Sequence, residues 1–65
     1  MGIKHLTEIT KMMSDHPDKE FSRTYLRDIL NINYNSVLDS LFFLIMMKKV
    51  KQIDYEDGVR FKWNK

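Results

Sequence analysis

Hydrophobic positions change their spacing several times along this chain, and each change marks an expected element. Ile3, Leu6, Ile9, Met12 and Met13 recur at helical intervals and predict a first helix over about residues 3–14. Ser14-Asp15-His16-Pro17-Asp18 ends it, because Pro17 lacks an amide donor and disfavours helical backbone at His16. Phe21 then stands alone as an apolar anchor. Ser22 is a good cap for a short second helix whose expected buried stripe is Leu26, Ile29 and Leu30. Asn31-Ile32-Asn33 predicts a turn, with Ile32 inward and Asn33 capping a third helix that runs to about Lys48 or Lys49.

That third helix is the most informative stretch. Val37, Leu41 and Leu44 share one stripe, whereas Phe42, Phe43 and Met46 lie on the far side, where a surface helix is polar. A helix apolar on several sides is one covered from several directions, and the expected covers here are neighbouring elements on two sides and a second copy of the protein. The lysines at its end suit the negative pole of the helix dipole.

Beyond Lys49 the period shortens. Val50, Ile53 and Tyr55, then Glu56-Asp57-Gly58, then Val59, Phe61 and Trp63 predict two short strands around an Asp-Gly turn. Val59, Phe61 and Trp63 alternate with Arg60, Lys62 and Asn64, so one face is apolar and the other basic or polar. Phe61 and Trp63 read as core against the third helix, and the pairs Met12-Met13 and Met46-Met47 as adaptable core or interface fillers. No repeat, linker or low-complexity segment interrupts the pattern, which reads as one domain over 1–65.

Composition narrows the possibilities. A core drawn from 65 residues supplies only a few kcal/mol, so domains of this size usually add a disulfide, a metal or a partner. The chain has no cysteine, which excludes disulfides, thiol chemistry and cysteine zinc sites. His5 and His16 lack clustered carboxylates, so no metal is expected. A homodimer is the remaining support. The apolar run Leu41–Met47 is too short to span a membrane. The N-terminus lacks a signal-peptide hydrophobic region, and Leu6 stands where a myristoylation motif needs Ser or Thr. A cytoplasmic protein without a membrane partner is expected.

Net charge is +2, unevenly placed: residues 1–47 carry five basic and six acidic groups, residues 48–65 six basic and three acidic. Positive charge therefore gathers at the C-terminal end. No nucleophile–base pair, phosphate-binding glycine loop or paired carboxylates can be assembled, and so small a chain does not enclose a typical ligand pocket. No enzyme activity, cofactor or small-molecule ligand is expected.

Helix, short helix, three-residue turn, longer helix and hairpin together make the α+β order of a winged helix-turn-helix, three helices plus a C-terminal β-hairpin wing. Residues 21–63 resemble the pattern shared by many bacterial and archaeal winged-helix regulators. The resemblance is carried by Phe21, Leu26, Leu30, Ile32, Val37, Leu41, Leu44 and Val50, with the wing around Gly58. Lys48 departs from it, since such proteins often carry a glycine there. Winged helices that bind Z-DNA use Asn and Tyr on the third helix beside a wing Trp. Alignment on the core puts Leu38 and Phe42 at those helix positions, so Trp63 does not carry that likeness.

The resemblance implies binding of double-stranded DNA. The third helix would enter the major groove with Tyr34, Asn35 and Ser36 and, a turn later, Leu38 and Asp39. Asn35 could pair with adenine and Ser36 could serve a base or a phosphate. Arg23 and Thr24, with Arg27 on the same short helix, would meet backbone phosphates, and Arg60 and Lys62 would reach them from the wing. Plain structural roles exist for each. Asn33 and Asn35 are common helix-start residues, Tyr34 can pack on the wing, and Arg23 and Arg27 can pair with Glu20 or Asp28. Arg60 and Lys62 form a solvated strand face. Three features oppose strong binding: no Arg or Lys in the third helix before Lys48, Leu38 and Phe42 at groove-facing positions, and acids from Asp54 to Asp57 at the wing tip.

The leading expectation is a small DNA-binding transcriptional regulator, homodimeric through Phe42, Phe43 and Met46. The competing one is a protein-interaction module docking through Leu38, Phe42, Phe43 and Met46.

Overall fold

The computed structural model describes residues 4–64. The elements follow in the order α1 (Leu6–Asp15), β1 (Glu20–Phe21), α2 (Arg23–Leu30), α3 (Tyr34–Met46), β2 (Val50–Tyr55) and β3 (Gly58–Trp63). Three helices therefore pack with a three-stranded antiparallel sheet of order β1-β3-β2, an α+β arrangement. No helix among the described residues is long and apolar enough to cross a membrane.

Local chemistry explains most boundaries. Ile3, expected to open the first helix, lies outside the described residues. α1 stops at Asp15 because His16 leaves helical geometry ahead of Pro17. At the head of α2 the Tyr25 amide donates to Ser22 Oγ at 3.1 Å. At its tail Asn31 takes the left-handed conformation, φ 54°, and the Ile32 amide returns to the Arg27 carbonyl. α3 opens on a 2.7 Å bond from the Asn35 amide to Asn33 Oδ1.

α3 closes at Met46, short of the expected lysines. The Lys48 amide bonds to the Ile45 carbonyl and the Lys49 amide to that of Leu44, while Lys48 itself sits at φ 60°. This is a Schellman closure, with Lys48 in the place where glycine is favoured. The lysines are outside the helix because the chain reverses there.

The hairpin forms with Tyr55 opposite Gly58 and a two-residue loop, Glu56-Asp57. Gly58 has φ 150°, a backbone that residues with a Cβ rarely adopt. β3, not β2, is the central strand, because Phe21 pairs with Phe61 and Glu20 with Lys62. Phe21 is thus a strand residue and not a lone anchor. In β2 the pleat puts Val50, Gln52 and Asp54 on the helix-facing side and Lys51, Ile53 and Tyr55 on the outer side. Val50 and Ile53 are an odd number of positions apart, so they cannot share a face.

One core joins every element: Ile9, Met13, Phe21, Leu26, Val37, Leu41, Leu44, Val50 and Phe61. Trp63, Val59, Leu30, Ile32 and Ile45 pack around it. Ile29, expected in the buried stripe of α2, is 49% exposed. α2 packs mainly on α3, which draws in the Leu30 side of the helix. Ile29 lies about 100° round the axis from Leu30 and is left at the solvent edge.

Candidate nucleic-acid interface

The pairing of Phe21 with Phe61 sets the geometry of the site. Because α2 begins directly after β1, the residues following Phe21 run alongside those preceding Phe61. The result is a groove lined by Ser22, Arg23 and Thr24 at the start of α2, Tyr34 at the start of α3, and Gly58, Val59 and Arg60 at the start of β3. Arg23, Thr24, Tyr34 and Arg60, selected from sequence as DNA-contacting, are brought together here. The first residues of two helices line this groove, so the positive dipole ends of α2 and α3, capped by Ser22 and Asn33, lie at its border.

Packing restrains the two arginines. The Arg23 guanidinium lies 6.0 Å from the centre of the Phe61 ring. Arg60 Nη1 donates to the Val59 carbonyl at 3.2 Å, and a Cβ at Gly58 would come within 3.2 Å of that same nitrogen. Gly58 therefore serves both the turn and the space that the guanidinium occupies.

Other expected residues lie apart from the groove. Arg27 binds its neighbour Asp28, with Nε and the second guanidinium nitrogen each 3.0 Å from Oδ1, so its charge is locally matched. Lys62 is on the outer face of β3, between Glu20 on one side and Lys51 on the other. Lys51 was missed by sequence reasoning. Counting back from the Glu56-Asp57 loop pairs it with Lys62, so its signal lay in the register and not in any motif.

α3 presents a single outward line. Asn35, Asp39, Phe42 and Met46 follow at steps of four, three and four, and all are exposed. Phe42 is 67% and Met46 65% exposed. Leu38 and Ile45 turn toward the hairpin, where they line a second groove with Arg23, Phe42, Gln52 and Phe61. Phe43 turns the opposite way, toward an apolar groove formed with Leu6, Met47 and Trp63. The three residues expected at a dimer contact therefore divide. Phe42 and Met46 share their line with Asn35 and Asp39, and Phe43 does not. Ser36 is half-buried beside the first turn.

Acidic groups border the site. Asp54, Glu56 and Asp57 crowd the hairpin tip, and Glu20 accepts a 2.7 Å bond from the Tyr55 phenol on the outer face. That bond raises the Tyr55 pKa, with desolvation and the Glu20 charge adding to the rise and Arg60 opposing it. Among the described residues no group of three or more His, Cys, Asp or Glu could hold a metal ion. Comparison with protein-family models, curated proteins and solved structures finds no match to this chain.

Proposed function

We propose that this chain is a winged helix that binds double-stranded DNA, with α3 as recognition helix and the β2–β3 hairpin as wing, and acts as a small transcriptional regulator in the cytoplasm. The observation that carries the reading is the groove where Arg23, Thr24, Tyr34 and Arg60 meet two helix N-termini. Two cations and the positive dipole ends of two helices border a space suited to a backbone phosphate. The exposed Asn35 lies immediately beside it, placed to read a base edge once a phosphate anchors the domain.

Retardation of a mixed-sequence duplex in a native gel, repeated across a salt series, tests this. Binding that weakens with a log–log slope of about −2 to −4 supports a few phosphate contacts. An absence of retardation at the lowest salt removes the reading.

One observation favours a different reading, a module that docks protein. α3 carries no Lys or Arg between Tyr34 and Met46, and its outward line ends in Phe42 and Met46. A protein partner would use that apolar end, and polar substitutions there would abolish capture while leaving any duplex binding unchanged.

A further inference from the structure

The chain is too short to bury a ligand deeply, yet α3 and the hairpin leave an open groove of about 330 Å³ between them. Its floor is apolar, made by Leu38, Leu41 and Ile45 on one stripe of α3 and by Phe61 on β3. Gln52 stands directly opposite Phe61 on the helix-facing side of the sheet, where a covering helix would call for an apolar residue. It is exposed, so α3 does not close over this part of the sheet. The rim carries opposite charges. On one side is Arg23, its guanidinium 6.0 Å from the centre of the Phe61 ring, and on the other is Asp39. Among the described residues neither forms an ion pair, with the other or with a third group, so both poles remain available to a guest.

We propose that this groove binds a small zwitterion with an apolar body, an α-amino acid with an aliphatic or aromatic side chain. Arg23 receives the carboxylate. Asp39 receives the ammonium together with the carbonyl oxygen of Gln52, whose amide is oriented by a 3.0 Å bond from Nε2 to Asp54 Oδ1. Leu38, Leu41, Ile45 and Phe61 cover the side chain. Charge selects this class: a plain carboxylate meets repulsion from Asp39, a plain amine meets it from Arg23, and an uncharged apolar molecule uses neither pole. The volume lies at the lower end for ligand sites and suits a single amino acid. Arg23 also lines the groove assigned to a phosphate, so a bound carboxylate takes up the charge that a duplex would use. An occupied groove therefore weakens duplex binding. The ligand site stands on the groove alone, and only this coupling rests on the duplex reading.

A chemical-shift titration of the full chain with L-leucine tests the site, set beside 4-methylpentanoate, which lacks the ammonium, and 3-methylbutylamine, which lacks the carboxylate. Leucine should give saturable shifts at the groove residues with a dissociation constant of about 1 mM or tighter. Each analogue should bind about tenfold or more weakly. Arg23→Gln should remove the advantage of leucine over the amine, and Asp39→Asn its advantage over the acid. The analogues probe the unaltered chain, so their outcome does not depend on how a variant folds. Shifts that do not saturate by about 10 mM, or that fall outside the groove, overturn the site. An analogue that binds as tightly as leucine overturns the zwitterion.

Retardation of a mixed-sequence duplex with and without saturating leucine tests the coupling. Leucine should weaken binding to all sequences and lower the salt slope by about 1, the behaviour expected when one phosphate contact is lost. Duplex binding unchanged by leucine overturns the coupling. Duplex binding absent even without leucine overturns both the coupling and the duplex reading, while the shift titration still decides the site.

Discussion

The phenol of Tyr55 on β2 reaches across the central strand to donate a 2.7 Å hydrogen bond to Glu20 Oε1 on β1. It ties together the two edge strands, which pair with β3 and not with each other.

This tie gives stability an alkaline dependence. Donation to Glu20 raises the Tyr55 pKa above its ordinary value near 10, because ionising the phenol would lose the bond and set two negative charges together. A folded-state pKa above the unfolded one means the contribution is complete below about pH 10 and is lost as pH rises through the folded value. Urea titrations should show a steeper loss of stability above pH 10 for the unaltered chain than for Tyr55→Phe. Glu20→Gln should return the Tyr55 titration toward the ordinary value, read as phenolate absorbance after subtracting a Tyr55→Phe spectrum.

The groove separates residues that position a duplex from the one that reads it. Arg23→Ala and Arg60→Ala should each weaken binding to all sequences and lower the salt slope by about 1. Asn35→Ala should leave the slope alone and cost about 1–3 kcal/mol of preference at a single base pair. Arg27→Ala should alter neither, since its guanidinium is held by Asp28 outside the groove. Binding isotherms on a set of point-substituted duplexes would distinguish the three behaviours.

Ser40 is fully buried on α3, and its hydroxyl has no hydrogen-bond partner among the described residues. Its small volume suits the packing of α3 in the core, but its oxygen is desolvated without return. Ser40→Ala removes the oxygen, leaves almost no cavity and improves helix propensity. The expected gain is about 1 kcal/mol, a rise of roughly 4–8 °C in melting temperature for a domain of this size. Ser40→Leu should overpack the same site and lower the melt.

Features governed by neighbouring residues were legible in the sequence. Ser22, Asn31 and Asn33 cap or close helices as their chemistry dictates, and Val59, Phe61 and Trp63 alternate as a strand must. Features governed by pairing were not. β1 is two residues long and exists only because β3 lies beside it, so Phe21 carried no strand signal of its own. The exposure of Ile29 depends on where α3 packs. For the site, the residues around the groove could be selected from the order of elements. That Arg27 is engaged by Asp28, that Lys51 stands opposite Lys62, and that Phe42 shares a line with Asn35 all required the folded chain.

Lys48 performs the task of a glycine while bearing a side chain. At φ 60° its Cβ crowds the adjoining carbonyl, at a cost of about 1–2 kcal/mol relative to a residue without one. Lys48→Gly relieves that strain and keeps both closing bonds, from residue 48 to Ile45 and from Lys49 to Leu44. Greater freedom of glycine in the unfolded chain offsets part of the gain, leaving a net stabilisation of about 0.5–1 kcal/mol. Lys48→Val should do the reverse, since a β-branched residue tolerates left-handed backbone poorly. Denaturant melts at low concentration, with an unchanged slope, measure both effects on the single chain. A variant that melts lower, with its fold intact, would show that the freedom glycine gains in the unfolded chain outweighs the strain relieved at position 48.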